Sequence, residues 1–89
     1  GDVYKRQVVM TQIELERQTE DYLNRFAAAV RRCPDIQDCY LMTGSSDYLL
    51  KIRVADAGEY ERLHRSVLSK LPGVSRIQSS FTIRSVVGR

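Results

Sequence analysis

From Val8 to Glu16 apolar and polar positions alternate. Val9, Thr11, Ile13 and Leu15 fall on one side of the repeat and Met10, Gln12, Glu14 and Glu16 on the other, which predicts a strand. The period then changes. Tyr22, Leu23, Phe26, Ala27 and Val30 recur at helical spacing behind Thr19, a good N-cap, with Glu20 and Asp21 against the positive end of the helix dipole. Arg31 and Arg32 suit the last turn, and Pro34 stops it. Ile36 to Thr43 and Asp47 to Val54 read as two more strands. The later one sets Tyr48, Leu50, Ile52 and Val54 on one face and Leu49, Lys51 and Arg53 on the other. Gly44-Ser45-Ser46 between them is a short turn, so the pair is an antiparallel hairpin. Asp56 with Glu59 opens a second helix in a variant capping box. Tyr60, Leu63, Val67 and Leu71 run down one face with His64 and Leu68 beside them, and Pro72-Gly73 ends it. Val74 to Val87 is the last strand, with Ile77, Ser79, Phe81 and Ile83 opposed to Gln78, Ser80, Thr82 and Arg84.

Strand-helix-strand-strand-helix-strand in 89 residues predicts an α+β domain of the ferredoxin-like type. Right-handed crossovers give a four-stranded antiparallel sheet in the order 4-1-3-2 with both helices on one face. One domain, residues 8–87, fills the length. The aperiodic opening, Gly1 to Gln7, is set aside as a tag remnant or an arbitrary gene start. The outer sheet face should carry Met10, Leu49, Val86 and either Cys39 or Leu41 among polar side chains. A half-apolar sheet face on so small a core calls for a cover, and a second copy stacked sheet to sheet supplies one, giving a dimeric α+β barrel-like assembly.

Composition narrows the function by exclusion. At 43% hydrophobic and 28% charged residues the chain is not a disordered one. The net charge of +3 is spread among alternating acids and bases, such as Glu59, Glu61, Arg62 and Arg65, which argues against a face that tracks nucleic-acid phosphates. No apolar run approaches the roughly 18 residues of a membrane span, and no signal-peptide pattern opens the chain. Cys33 and Cys39 make neither a disulfide framework nor a zinc spacing with the single His64, so both read as small apolar residues in a reducing, cytoplasmic setting with no metal or cofactor. Other uses of the fold fit poorly. RNA recognition needs aromatics on the central strands, metal carriage needs Cys-x-x-Cys, and acyl-phosphate hydrolysis needs a phosphate loop where Arg17 stands alone. A small-molecule-binding dimer survives.

The hairpin from Asp38 to Val54, with Thr43-Gly44-Ser45-Ser46-Asp47-Tyr48-Leu49-Leu50 at its centre, resembles the effector domain of the Lrp/AsnC family of transcription regulators. Leu71-Pro72-Gly73-Val74 before a Ser/Thr-rich strand is similar to that family's second landmark. The resemblance runs from about Val8 to Val87. It implies sheet-to-sheet homodimers that join into tetrameric or octameric rings, and an amino-acid effector bound where dimers meet, between the hairpin loop and the last strand. Carried over by position, the site would use Gly44, Ser45, Ser46, Asp47, Ser79, Ser80 and Phe81. The loop amides of Gly44 to Ser46 would meet a carboxylate and Asp47 an ammonium group. Read without the family, Gly44 needs only to supply a positive φ and Asp47 only to cap the turn. Many members read Gly-Asp-aromatic-Asp in this loop; Gly44-Ser45-Ser46-Asp47 lacks one acid and one aromatic, so the expected pocket is less acidic and roomier.

Members usually carry a helix-turn-helix that reads DNA. None is present in these residues, so the chain is expected to be a truncated or stand-alone effector domain without direct DNA contact. Two other readings stay open: a small barrel enzyme of the monooxygenase type, for which only His64 is offered, and an oligomerisation domain with no ligand.

Overall fold

The computed structural model describes residues 7–88 and has the expected element order. Strand β1 is Gln7–Leu15, helix α1 Glu20–Arg31, strands β2 Ile36–Leu41 and β3 Tyr48–Val54, helix α2 Ala57–Ser66 and strand β4 Val74–Phe81. The sheet order is β2-β3-β1-β4, and every neighbouring pair is antiparallel. Most of the opening segment that the sequence sets aside lies outside the described residues. Its last member, Gln7, belongs to the fold: it pairs with Val54.

The alternation in β1 and β3 is what separates the two faces. Val9, Ile13, Leu50 and Ile52 are fully buried against the helices, with Val54 and Leu15 close behind. Phe26 from α1 is also fully buried and stacks on Tyr48 at 4.5 Å between ring centroids. Burying such a side chain contributes about 1.5–3 kcal/mol. Tyr60, Leu63 and Leu68 close the same core from the α2 side. Both caps form as the sequence predicts: Thr19 Oγ1 accepts from Tyr22 N, and Asp56 Oδ1 accepts from Glu59 N at 2.8 Å. Gly73 sits at φ +75°, and a Cβ there would lie 2.4 Å from Tyr22 Cδ1, so the turn into β4 needs glycine both for its backbone and for its approach to α1.

Three expectations are corrected. The second helix stops at Ser66 instead of running to Leu71, because Val67 leaves helical geometry (φ −123°, ψ −61°); a 3₁₀ turn over Leu68–Lys70 follows. That tighter winding lets Leu68 be fully buried while Leu71 still reaches the core. Strand β4 ends at Phe81 and not at Val87: Phe81 is its last paired residue, opposite Val9, and one further bond, Thr82 N to Val8 O at 3.0 Å, follows it. Val86 is therefore off the sheet and exposed. Finally, a bulge between Ile36 and Asp38 resets β2. Cys39 and Leu41 pair with the core-facing Leu50 and Tyr48, so neither sits on the outer face; Asp38 and Tyr40 do, opposite Lys51 and Leu49. The outer face thus presents Met10, Leu49 and Tyr40 among Gln12, Glu14, Lys51 and Arg53.

Candidate functional site

Asp47 closes the hairpin loop. Its backbone carbonyl accepts from Met42 N at 2.9 Å, and its own N–H donates to Ile13 O at 2.9 Å. Those bonds turn the side chain inward, where it is only 7% exposed. A carboxylate so enclosed needs partners. Oδ2 accepts from Leu15 N at 2.6 Å and Oδ1 from the Gln18 side-chain amide at 2.5 Å. The carboxylate therefore ties the hairpin loop to the end of β1 and to the β1–α1 connection.

A cleft of about 380 Å3 opens beside it, lined by Gln18, Leu23, Leu41, Met42, Thr43, Gly44 and Asp47. That volume is within the range of small-molecule sites. One wall is apolar, from Leu23 of α1 and Leu41 and Met42 of the hairpin. The other carries the Gln18 amide, the Thr43 hydroxyl, the Asp47 carboxylate and the backbone of Gly44, which turns at φ +106° with open space where a Cβ would stand. Of the seven residues expected at the site, Gly44 and Asp47 lie here.

The others lie elsewhere within one chain. Ser45 and Ser46 bend over the outer face and enclose a hollow of about 120 Å3 with Gln12, Glu14, Arg76 and Gln78. Ser79 pairs with Thr11 and shares its face, so it points to the helices: its Oγ lies 3.1 Å from Thr11 Oγ1 and hydrogen-bonds the Tyr60 hydroxyl. Ser80, opposite Met10, takes the outer face. Phe81 stands at the far end of β4 beside Val9 and packs edge-on against Tyr60 at 5.3 Å. A wider hollow of about 490 Å3, with Lys51, Arg53 and Arg84 on its wall, occupies that end of the outer face and includes none of the expected residues.

Sequence reasoning missed Gln18, Leu23, Leu41, Met42 and Thr43 as cleft residues. Leu23 and Leu41 carry ordinary core periodicity, and Gln18 lies in a connection with no pattern. Nothing nearby competes chemically with Asp47. Cys39 is a free thiol whose pKa burial pushes up, the Arg31 guanidinium pulling the other way, so it is a poor nucleophile. Burial likewise raises the Tyr48 phenol, helped by Cys39 and Asp47 and opposed by Arg31. Among the described residues no group of three or more His, Cys, Asp or Glu could hold a metal, and no helix is long and apolar enough to cross a membrane.

A four-stranded sheet with two helices on one face and an acid-bearing cleft at its hairpin end defines a small-ligand-binding module, and the comparisons say which kind. The chain belongs to the Lrp/AsnC ligand-binding domain family, whose model matches residues 8–89. It is 61% identical over 79 residues to an uncharacterized helix-turn-helix-type transcriptional regulator of Sinorhizobium fredii, covering 89% of this chain and 62% of that one. It is 38% identical over 81 residues to the Bkd operon transcriptional regulator of Pseudomonas aeruginosa, covering 91% and 53%. Among solved structures, the complex of a Neisseria meningitidis transcriptional regulator with L-Met superposes with a TM-score of 0.88 at 28% identity, over 98% of this chain and 56% of that one. The chain thus spans between about half and 62% of the length of the curated relatives it matches. The fold and these relatives make it a regulatory ligand-binding domain.

Proposed function

We propose that this domain binds a free, small neutral amino acid at the Gly44–Asp47 cleft and, as part of a regulator, couples occupancy to the assembly of copies of itself, with no catalytic step. The observation that carries the reading is the cleft's division of labour. One carboxylate meets an α-ammonium, the backbone of Gly44 meets an α-carboxylate, and Leu23, Leu41 and Met42 receive a side chain. The L-Met complex of the 28% identical Neisseria regulator supports the ligand class. A neutral effector matches a loop with one acid instead of two.

Ser79, Ser80 and Phe81 join this site only from a second copy, since within one chain they stand apart from Gly44 and Asp47. A dimer formed through the outer face, where Met10, Leu49 and Tyr40 lie, brings in Ser80 alone of the three; Ser79 and Phe81 lie on the helix side, and larger rings built from such dimers would have to supply them. The one histidine, His64, packs edge-on to Tyr60 on α2 and does not line the cleft, so an enzymatic reading has no acid–base pair to use there.

Thermal shift against the twenty amino acids, followed by calorimetry, tests the ligand. Binding of a neutral amino acid is expected, with affinity roughly tenfold to a hundredfold lower in Asp47→Ala, the loss of one charge-assisted bond. Equal binding by Asp47→Ala would move the site elsewhere. Sedimentation of Leu49→Arg tests the assembly. A buried unpaired charge costs about 3–5 kcal/mol, so the dimer should be lost at micromolar concentration. An unchanged dimer would take Leu49 out of the interface.

A further inference from the structure

The Asp47 carboxylate is not idle in the ligand-free domain. Oδ2 is held by a backbone group, Leu15 N, which moves only if β1 moves. Oδ1 is held by the Gln18 side-chain amide, on a flexible stem in the exposed β1–α1 connection. Gln18 and Asp47 both line the cleft. The amide therefore presents its N–H donors where a cationic N–H donor of a ligand would have to come.

We propose that Gln18 is an internal latch: its amide stands in for the ligand's ammonium group on Asp47 Oδ1, and an effector binds by displacing it. The inference rests on the amino-acid reading of the cleft and adds a residue that sets both affinity and selectivity. Displacement exchanges a neutral donor for a charged one at a buried carboxylate, an exchange that favours the ammonium. A ligand without an ammonium gains nothing from the exchange. The latch thus lowers the apparent affinity of every ammonium-bearing ligand by the fraction of time Oδ1 is already taken, and it frees the 16–19 connection, which leads directly into the cap of α1, whenever the site fills.

The test uses L-methionine and its des-amino analogue as paired probes on the full chain, by calorimetry, in wild type and Gln18→Ala. The ratio of L-methionine to des-amino affinity is expected to rise roughly fivefold in Gln18→Ala, because only the ammonium competed with the amide. The ratio cancels any loss of wall contact that both probes share. Hydrogen exchange of residues 16–19 in wild type gives a second readout: these amides should exchange faster when L-methionine is bound. An unchanged or smaller ratio overturns the latch while leaving the amino-acid site standing. L-Methionine binding to Gln18→Ala and not to wild type would support the latch in its strongest form. Failure of L-methionine to bind either protein, with another amino acid active in the panel, moves the same ratio test to that amino acid and its des-amino form. Failure of all amino acids in both proteins removes the site and the latch together.

Discussion

Asp47 and Thr11 are both buried polar side chains, and they have been put to different uses. Thr11 sits in the middle of β1, fully buried. Its hydroxyl lies 3.1 Å from Ser79 Oγ and 3.4 Å from the Tyr60 hydroxyl, and Phe81 packs on the Tyr60 ring. That cluster is neutral and partly buried: three hydroxyls satisfy one another across β1, β4 and α2, with half-buried Ser79 at its edge. Asp47 sits at the rim, charged, with two donors and a cleft beside it. Of its two donors one, Leu15 N, is fixed backbone, and the other, the Gln18 amide, is a side chain that lines the cleft and can give way to a ligand's donor. Burial alone therefore does not mark a functional polar residue. An exchangeable partner next to an opening does, and of these two residues Asp47 has it.

Removing the Asp47 carboxylate should produce the larger effect. In Asp47→Ala the Leu15 amide loses its acceptor at the end of the central strand, and the loop loses its tie to the β1–α1 connection. An orphaned buried donor costs about 1–3 kcal/mol, and a bond to a charged group about 1.5–3 kcal/mol. We expect a loss of about 2–3 kcal/mol in urea unfolding, which for a domain of this size lowers Tm by more than about 10 °C. Asp47→Asn keeps an acceptor oxygen for Leu15 N and should retain most of that stability while still weakening an ammonium ligand. If Asp47→Asn is as unstable as Asp47→Ala, the charge itself holds the loop. If neither variant loses stability, the carboxylate is structurally dispensable and the contrast with Thr11 fails.

The sequence shows these two regions unequally. The faces of β1 and β3 are legible because period-two alternation survives wherever a strand has neighbours on both sides; Tyr48 to Val54 alternates buried and half-buried without a break. The caps at Thr19 and Asp56 are legible because capping is local chemistry. The edge strands are harder. In β2 the bulge at Gln37 leaves no mark in Ile36-Gln37-Asp38-Cys39, and it decides that Cys39 and Leu41 face inward. In β4 the apolar positions continue past Phe81 as Ile83, but the ladder goes no further than the Thr82 N–Val8 O bond, an end that the residue pattern does not mark. At the site, a Gly–Ser–Ser–Asp turn points to Asp47. Its partners Leu15 N and Gln18, by contrast, are set by the way β1 returns beside the hairpin, a tertiary fact with no local signature. That Ser79 shares a face with Ile77 and Phe81 follows from period two, yet its bond to Tyr60 depends on how α2 lies across the sheet.

The hydroxyl cluster should yield the smaller effect, and it offers the finer test of the comparison. Thr11→Val keeps shape and removes one hydroxyl. Tyr60 and Ser79 still bond each other, so no buried group is orphaned, and the cost should be about 0.5–1.5 kcal/mol, near the net value of a single neutral hydrogen bond. Tyr60→Phe keeps the ring against Phe81 and leaves Thr11 and Ser79 paired, with a loss of similar size. In the double variant Ser79 Oγ loses both partners, so it should cost more than the sum of the singles, and the cycle measures that coupling directly. Neither substitution should alter amino-acid affinity contributed by the cleft of the same chain, since neither residue lines it. A clear drop in affinity in Thr11→Val, with stability nearly intact, would mean that the hydroxyl cluster communicates with the ligand, either through Ser79 reaching a neighbouring copy or through β1 itself. The hydroxyl cluster would then be part of the site, and the division drawn between Thr11 and Asp47 would have to be abandoned.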